Sequence, residues 1–185
     1  MGMSVPLYHT ADMVRALLDD TRHWPRYETV YGELLVTPAP RLLHQLLVGR
    51  LFAALTQYVD REGLGVVFAS PADISWGADI LVQPDIFVVP IEQARTSEWR
   101  QLRDLLLAVE VLSPGTLRAD RFTKRRVYQE HGVSLYWIVD ADACSIDVWT
   151  PSDRFPRTER EKLVWTPESA SALFVLPLAE LFRPV

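Results

Sequence analysis

The stretches PDIFVV, residues 84–89, and LLLAVEVL, residues 105–112, each place one carboxylate, Asp85 or Glu110, in an otherwise apolar run. Short runs this rich in Val, Ile and Leu suit strands covered on both faces, as in a layered α/β domain. Such cover restricts the acids sharply. A buried lone carboxylate is costly unless a cation, a metal or hydrogen-bond donors accompany it. Strand alternation sets Ala108, Glu110 and Leu112 on one face, so that face is not apolar throughout. Asp85 follows Pro84 and also reads as a turn residue at a strand start. Glu110, deep inside its run, leaves a structural salt bridge or a functional site.

The rest of the chain supplies layers for such strands. Residues 11–20 predict a short helix, and residues 1–26 as a whole read as an N-terminal helical extension of one domain spanning residues 1–185. YETVYGELLVTP, residues 27–38, predicts a hairpin turning near Gly32, closed by Pro38 and Pro40. Leu43, Leu47, Leu51, Ala54 and Tyr58 recur at helical spacing and predict a helix over roughly 41–60, ended by Gly63. GVVFAS follows as a strand. SPGT, residues 113–116, reads as a helix start capped by Thr116, and the helix runs to Gly132. SLYWIVD and SIDVW predict a hairpin around 141–144, and SALFVLP a last strand before LAELF. The simplest assembly is a mixed sheet covered by helices.

Composition excludes some functions. With 49% hydrophobic and 23% charged residues, the 185-residue chain can build a sizeable core. A net charge of −5 argues against polyanion binding by bulk attraction, though a local basic groove remains compatible with it. The single cysteine, Cys144, rules out an intrachain disulfide and a multi-thiolate metal site. The N-terminus has no signal-peptide pattern, and no stretch of about 18 apolar residues is present to span a bilayer. The expectation is a soluble cytoplasmic protein that does not enter a membrane.

The helix after Glu110 offers partners for it. Asp120, Lys124 and Tyr128 recur every four residues and share a face. Arg121, Arg125 and Arg126 point elsewhere and read as solvated surface. An i,i+4 pair of Asp120 with Lys124 accounts for that spacing equally well. Two carboxylates and a lysine nevertheless form a sensible set for cleaving a phosphodiester. The acids suit Mg²⁺, or Mn²⁺ in its place, which would polarise a phosphoryl oxygen or acidify the attacking water. Lysine would orient that water or offset charge on the phosphate.

The segments YETVYGELLVTPAPRLLHQ (27–45), QPDIFVV (83–89), VEVLSPGTLRADRFTKRRVYQEHGVSLYWIVD (109–140) and the terminal LAELF resemble the Uma2 family, which is similar to the PD-(D/E)XK restriction endonucleases. The resemblance covers most of the chain from residue 27 onward. It implies a restriction endonuclease-like α/β/α sandwich with a mixed central sheet. It further implies that Asp85 is the PD aspartate and Glu110 the second acidic ligand. The lysine usually found two residues later is replaced by Leu112, and Lys124 takes its place from the next helix. In the same pattern Glu33 matches an early acidic position that helps hold metal or water, and His44 a histidine on the first long helix. A structural role for His44 fits the sequence as well as a catalytic one. Asp120 and Tyr128 match as supports of Lys124.

The function implied is metal-dependent endonucleolytic hydrolysis of nucleic acid, most naturally DNA. Asp85, Glu110 and Glu33 would be the metal ligands, and Lys124 and His44 would complete the catalytic set. A homodimer would place two sites near two strands. The alternative is a noncatalytic nucleic-acid-binding or protein-interaction domain on a nuclease fold. A purely structural, oligomer-forming domain leaves Glu110 unexplained.

Overall fold

The computed structural model describes residues 8–20, 25–95 and 98–185. Helix α1 (Ala11–Asp20) is the described part of the expected N-terminal extension, of which residues 1–7 and 21–24 lie outside the described residues. It buries Ala11 and Val14 against Leu81. Strands β1 (Arg26–Val30) and β2 (Glu33–Thr37) form the expected hairpin, with Gly32 in the left-handed conformation its turn needs. Helix α2 (Leu42–Glu62) follows, and Gly63 caps it at φ +64°. Next come β3 (Gly65–Ala69), β4 (Ile74–Ser75), β5 (Ile80–Val82) and β6 (Ile86–Pro90). Gly65 lies so close to the Val89 carbonyl that a Cβ there would sit 1.9 Å from the oxygen. Only glycine permits that pairing of β3 with β6.

After the short helix α3 (Ile91–Ala94) the chain forms β7 (Leu107–Val111) and then the helix that carries Lys124. That helix is not uniform. A π-helical segment, Ala119–Lys124, leads into α4 (Arg125–Glu130). Strands β8 (Tyr136–Asp140), β9 (Ser145–Trp149) and β10 (Arg157–Glu159) complete the main sheet. The chain ends with β11 (Lys162–Trp165), β12 (Phe174–Pro177) and α5 (Leu178–Leu181).

The six-stranded sheet runs β10-β9-β8-β7-β6-β3 and is mixed, because β7 and β8 are parallel while its other neighbours are antiparallel. Alternation divides its side chains into two cores. Ile86, Val88, Leu107, Val109, Val111 and Trp137 face α2, α5 and the β11–β12 hairpin. Phe87, Val89, Ala108, Tyr136 and Ile138 face α4 and residues of β1, β4 and β5. Strands β2-β1-β5-β4 form a second sheet over this latter side. The architecture is an α/β fold with a central mixed sheet flanked by helices, as the sequence patterning predicts. Among the described residues, no helix is long and apolar enough to cross a membrane.

Candidate active site

Strand pairing brings the two acids together. Ile86 pairs with Val109 in the antiparallel β6–β7 ladder, so one step further Asp85 stands opposite Glu110. Both belong to the α4-facing side by alternation, and both line one cavity of about 190 Å³. The cavity lies at the carboxyl ends of the parallel strands β7 and β8, where open α/β sheets place ligands. Loops Pro38–Arg41 and Ser113–Thr116 form its walls.

The Asp85 carboxylate is held from three directions. It accepts from the Val111 amide at 2.9 Å, lies 3.0 Å from Nε2 of His44, and pairs with Nη2 of Arg26 at 3.2 Å. Burial pushes its pKa up, but the His44 hydrogen bond, the His44 and Arg26 charges and the Val111 amide together hold it below the usual carboxylate value. Asp85 is therefore an anion in place.

Lys124 forms the centre of a second cluster. Its Nζ lies 2.9 Å from Glu28, 3.0 Å from Glu110 and 3.4 Å from Asp120, with all four side chains almost fully buried. Tyr128 donates to the same Glu110 oxygen at 3.0 Å. Burial alone would depress the lysine, yet Glu110, Glu28 and Asp120 lift its pKa well above the ordinary value. Glu110 is pushed well above its own normal value, by burial first; Lys124 opposes this, while Asp120, Asp85 and Glu28 add to it. Asp120 is raised by burial against the pull of Lys124 and the Thr116 hydrogen bond.

The structure thus brings Asp85, Glu110, Lys124, His44, Asp120 and Tyr128 to one region. Glu33 is not among them. It is exposed at the turn end of the first hairpin, paired with Val30. Glu28 joins the buried cluster instead, with Oε1 accepting from the Gln83 amide at 2.7 Å and Oε2 on Lys124. The signal lay in the β1 alternation, since Arg26, Glu28 and the buried Val30 share one face. Arg26 was missed for the same reason. Arg121 and Arg125, on either side of Lys124, are also more engaged than a solvated surface. Arg121 bridges Asp140 at 2.7 Å and Asp147 at 2.8 Å, and Arg125 covers the Trp149 ring.

Among the described residues, no three His, Cys, Asp or Glu side chains are arranged to hold a metal ion by themselves. The donor chemistry still fits a hard divalent cation. Asp85 and Glu110 offer oxygen alone, and Mg²⁺ commonly takes one or two carboxylates and fills its remaining positions with water and phosphate. Four acids, Glu28, Asp85, Glu110 and Asp120, surround two fixed cations, Arg26 and Lys124; burial is the first cause of the raised Glu110 and Asp120, and the neighbouring acids add to it.

The family model described as "Putative restriction endonuclease", Uma2, matches residues 12–179. The chain belongs to the Uma2 family. A solved structure described as a "putative nuclease belonging to DUF820" from Anabaena variabilis is similar in fold, with a TM-score of 0.74 and 22% identity over 91% of this chain and 96% of that one. No protein with a curated description matches. The Uma2 assignment agrees with the resemblance in the motifs and places the chain in the restriction endonuclease-like superfamily.

Proposed function

We propose that this Uma2 protein is a metal-dependent endonuclease that hydrolyses DNA phosphodiesters in the cavity over Asp85 and Glu110. The observation that carries this reading is the convergence of those carboxylates, from two adjacent strands, with a buried lysine on one face of the sheet. Asp85 and Glu110 would hold Mg²⁺ or Mn²⁺, which when bound polarises a phosphoryl oxygen and acidifies water. Arg26, His44 and the Val111 amide fix the Asp85 oxygens in advance, so binding costs little reorganisation.

Lys124, its pKa lifted by three acids, is protonated at neutral pH. It therefore serves as a cation beside the phosphate and not as the base that accepts the water proton. Tyr128 and Asp120 position Glu110 and Lys124. His44 holds Asp85 through Nε2. Glu28 replaces Glu33 in the proposed set, as a partner of Lys124, which it shares with Glu110.

The test is cleavage of single-stranded and duplex DNA and RNA with Mg²⁺, Mn²⁺ or chelator, using wild type and the Asp85→Asn, Glu110→Gln and Lys124→Met variants. Metal-dependent cleavage that falls about 10²–10³-fold in each folded variant supports the reading. A second reading, a noncatalytic nucleic-acid-binding domain, draws on the tight engagement of Lys124 by three acids and on the absence of a three-ligand cluster among the described residues. Binding without cleavage in every metal would favour it.

A further inference from the structure

We propose that the substrate enters as an unpaired DNA strand, and that a groove beside the cavity receives the base next to the scissile phosphate. This rests on the nuclease reading above and adds the class of substrate to it. The groove, about 530 Å³, runs from Arg41 and His44 past Leu43, Leu112 and Leu117 to the β8–β9 turn at Asp140–Ala143. It shares Arg41, His44, Ser113 and Pro114 with the cavity over Asp85, so the groove and the cavity adjoin along that line. Its volume falls in the range of small-ligand sites, about 300–1,000 Å³.

The lining suits a base and a phosphate at separate places. Leu43 and Leu117 are 49% and 45% exposed, and with Leu112 and Pro114 they offer an aliphatic wall to the face of a base. At the junction with the cavity stands the N-terminus of α2, a 21-residue helix without a side-chain cap, whose free amides attract anions. The exposed Arg41 side chain is at the same point and makes no hydrogen bond or ion pair among the described residues. His44 supplies an independent pointer to a ligand. It is only 9% exposed, its Nε2 is used by Asp85, and its buried Nδ1 has no partner. A buried polar atom of this kind calls for a partner, and His44 lines both the cavity and the groove.

Duplex DNA fits less well. The loops over the acids approach closely, with Pro38 Cδ 3.5 Å from where a Cβ on Gly115 would stand. The slot between them holds about 190 Å³, enough for one sugar-phosphate link. Duplex binding also relies on phosphate neutralisation along both strands, whereas among the described residues the groove is lined by a single arginine, Arg41, and its far wall carries Asp140 and Asp142.

The experiment measures binding of a short fluorescent DNA strand, its duplex, and a set of the same strand with one abasic position moved along it, with Ca²⁺ in place of Mg²⁺. The strand should bind at least about tenfold more tightly than the duplex. One abasic position should weaken binding by roughly 5- to 150-fold, the range for loss of one stacked base. Leu117→Trp, which fills the groove from a half-exposed position, should erase that position's effect while its melting temperature stays unchanged. Duplex binding as tight as single-strand binding, or a flat abasic scan in the wild type, overturns the proposal. If nothing is cleaved in Mg²⁺ or Mn²⁺ but the scan keeps its one sensitive position, the nuclease reading falls and the groove stands. If duplex is cleaved and the scan is flat, the groove falls and the nuclease reading stands.

Discussion

Both faces of the central sheet bury an apolar core, but among the described residues only the α4 side buries a cluster of charges within it. On the α2 side, Leu47, Leu51 and Leu55 close over Val88, Val109 and Trp137, and Trp137 continues into Trp165 and Phe174. That face gains from removing apolar surface from water. On the α4 side, Asp85, Glu110, Asp120, Glu28 and Lys124 are as deeply buried as the leucines, though each is a charge or a potential one. Desolvating such groups costs several kcal/mol each, and pairing only offsets it. Replacing a buried ion cluster by apolar residues of similar volume is often neutral or stabilising. Stability alone does not call for the polar cluster, and the apolar residues of both faces, Phe87 and Tyr136 beside it among them, supply the burial that tolerates it.

The largest effect should come from removing the cation that balances the polar face. Lys124→Ala leaves Glu28, Glu110 and Asp120 facing one another and should cost about 3–5 kcal/mol at neutral pH, measured by denaturant unfolding. The deficit should shrink as pH falls. Unpaired buried acids have raised folded-state pKa values, so the folded state takes up protons first and gains stability below them. Leu51→Ala on the opposite face should cost about 2–5 kcal/mol through the cavity it leaves, and no such pH dependence should accompany it. Equal pH responses of the two variants would break the contrast between the faces.

A smaller effect belongs to the edge of the apolar side. Glu62 accepts from the Ser171 hydroxyl and amide and the Ala172 amide, and with Arg61 beside it its pKa is held at about 2, below the ordinary 4.5. The lowered value favours the folded state above the normal pKa, and this stability is lost as pH falls from about 4.5 through about 2. Glu62→Gln should lower the melting temperature at neutral pH and converge with wild type near pH 2. The smallest effect is expected at Glu33. Being exposed and outside the cavity, Glu33→Ala should change stability by less than about 0.5 kcal/mol and leave cleavage unaltered, whereas Glu28→Gln should reduce cleavage. Loss of activity in the Glu33 variant would return that residue to the site.

Much of this contrast was legible in the chain. The apolar runs around Asp85 and Glu110 fixed two central strands, and four-residue spacing put Asp120, Lys124 and Tyr128 on the covered face even through a π-helical stretch. Residues whose roles depend on long-range partners were harder. Glu28 and Glu33 are five apart in one hairpin, and only the packing against α4 and the β5–β6 connection separates the buried one from the exposed one. Arg121 looked like surface because its partners, Asp140 and Asp147, arrive from strands about 20 and 26 residues later. The short strands β4, β5, β10 and β11 were missed too, since two to four residues carry too little periodicity to distinguish strand from loop.

The lysine's place on a helix has a consequence for how this protein can change. In the motif that the sequence resembles, position 112 would carry the cation; here Leu112 is free of that duty and lines the groove beside the acids. On the nuclease reading proposed above, charge at the phosphate and shape beside it would thus be set by different segments of chain. Apolar substitutions at 112 would then alter what the groove accepts while leaving the Lys124–Glu110 pair in place, so that under the proposed function selectivity would drift while the chemistry is inherited intact.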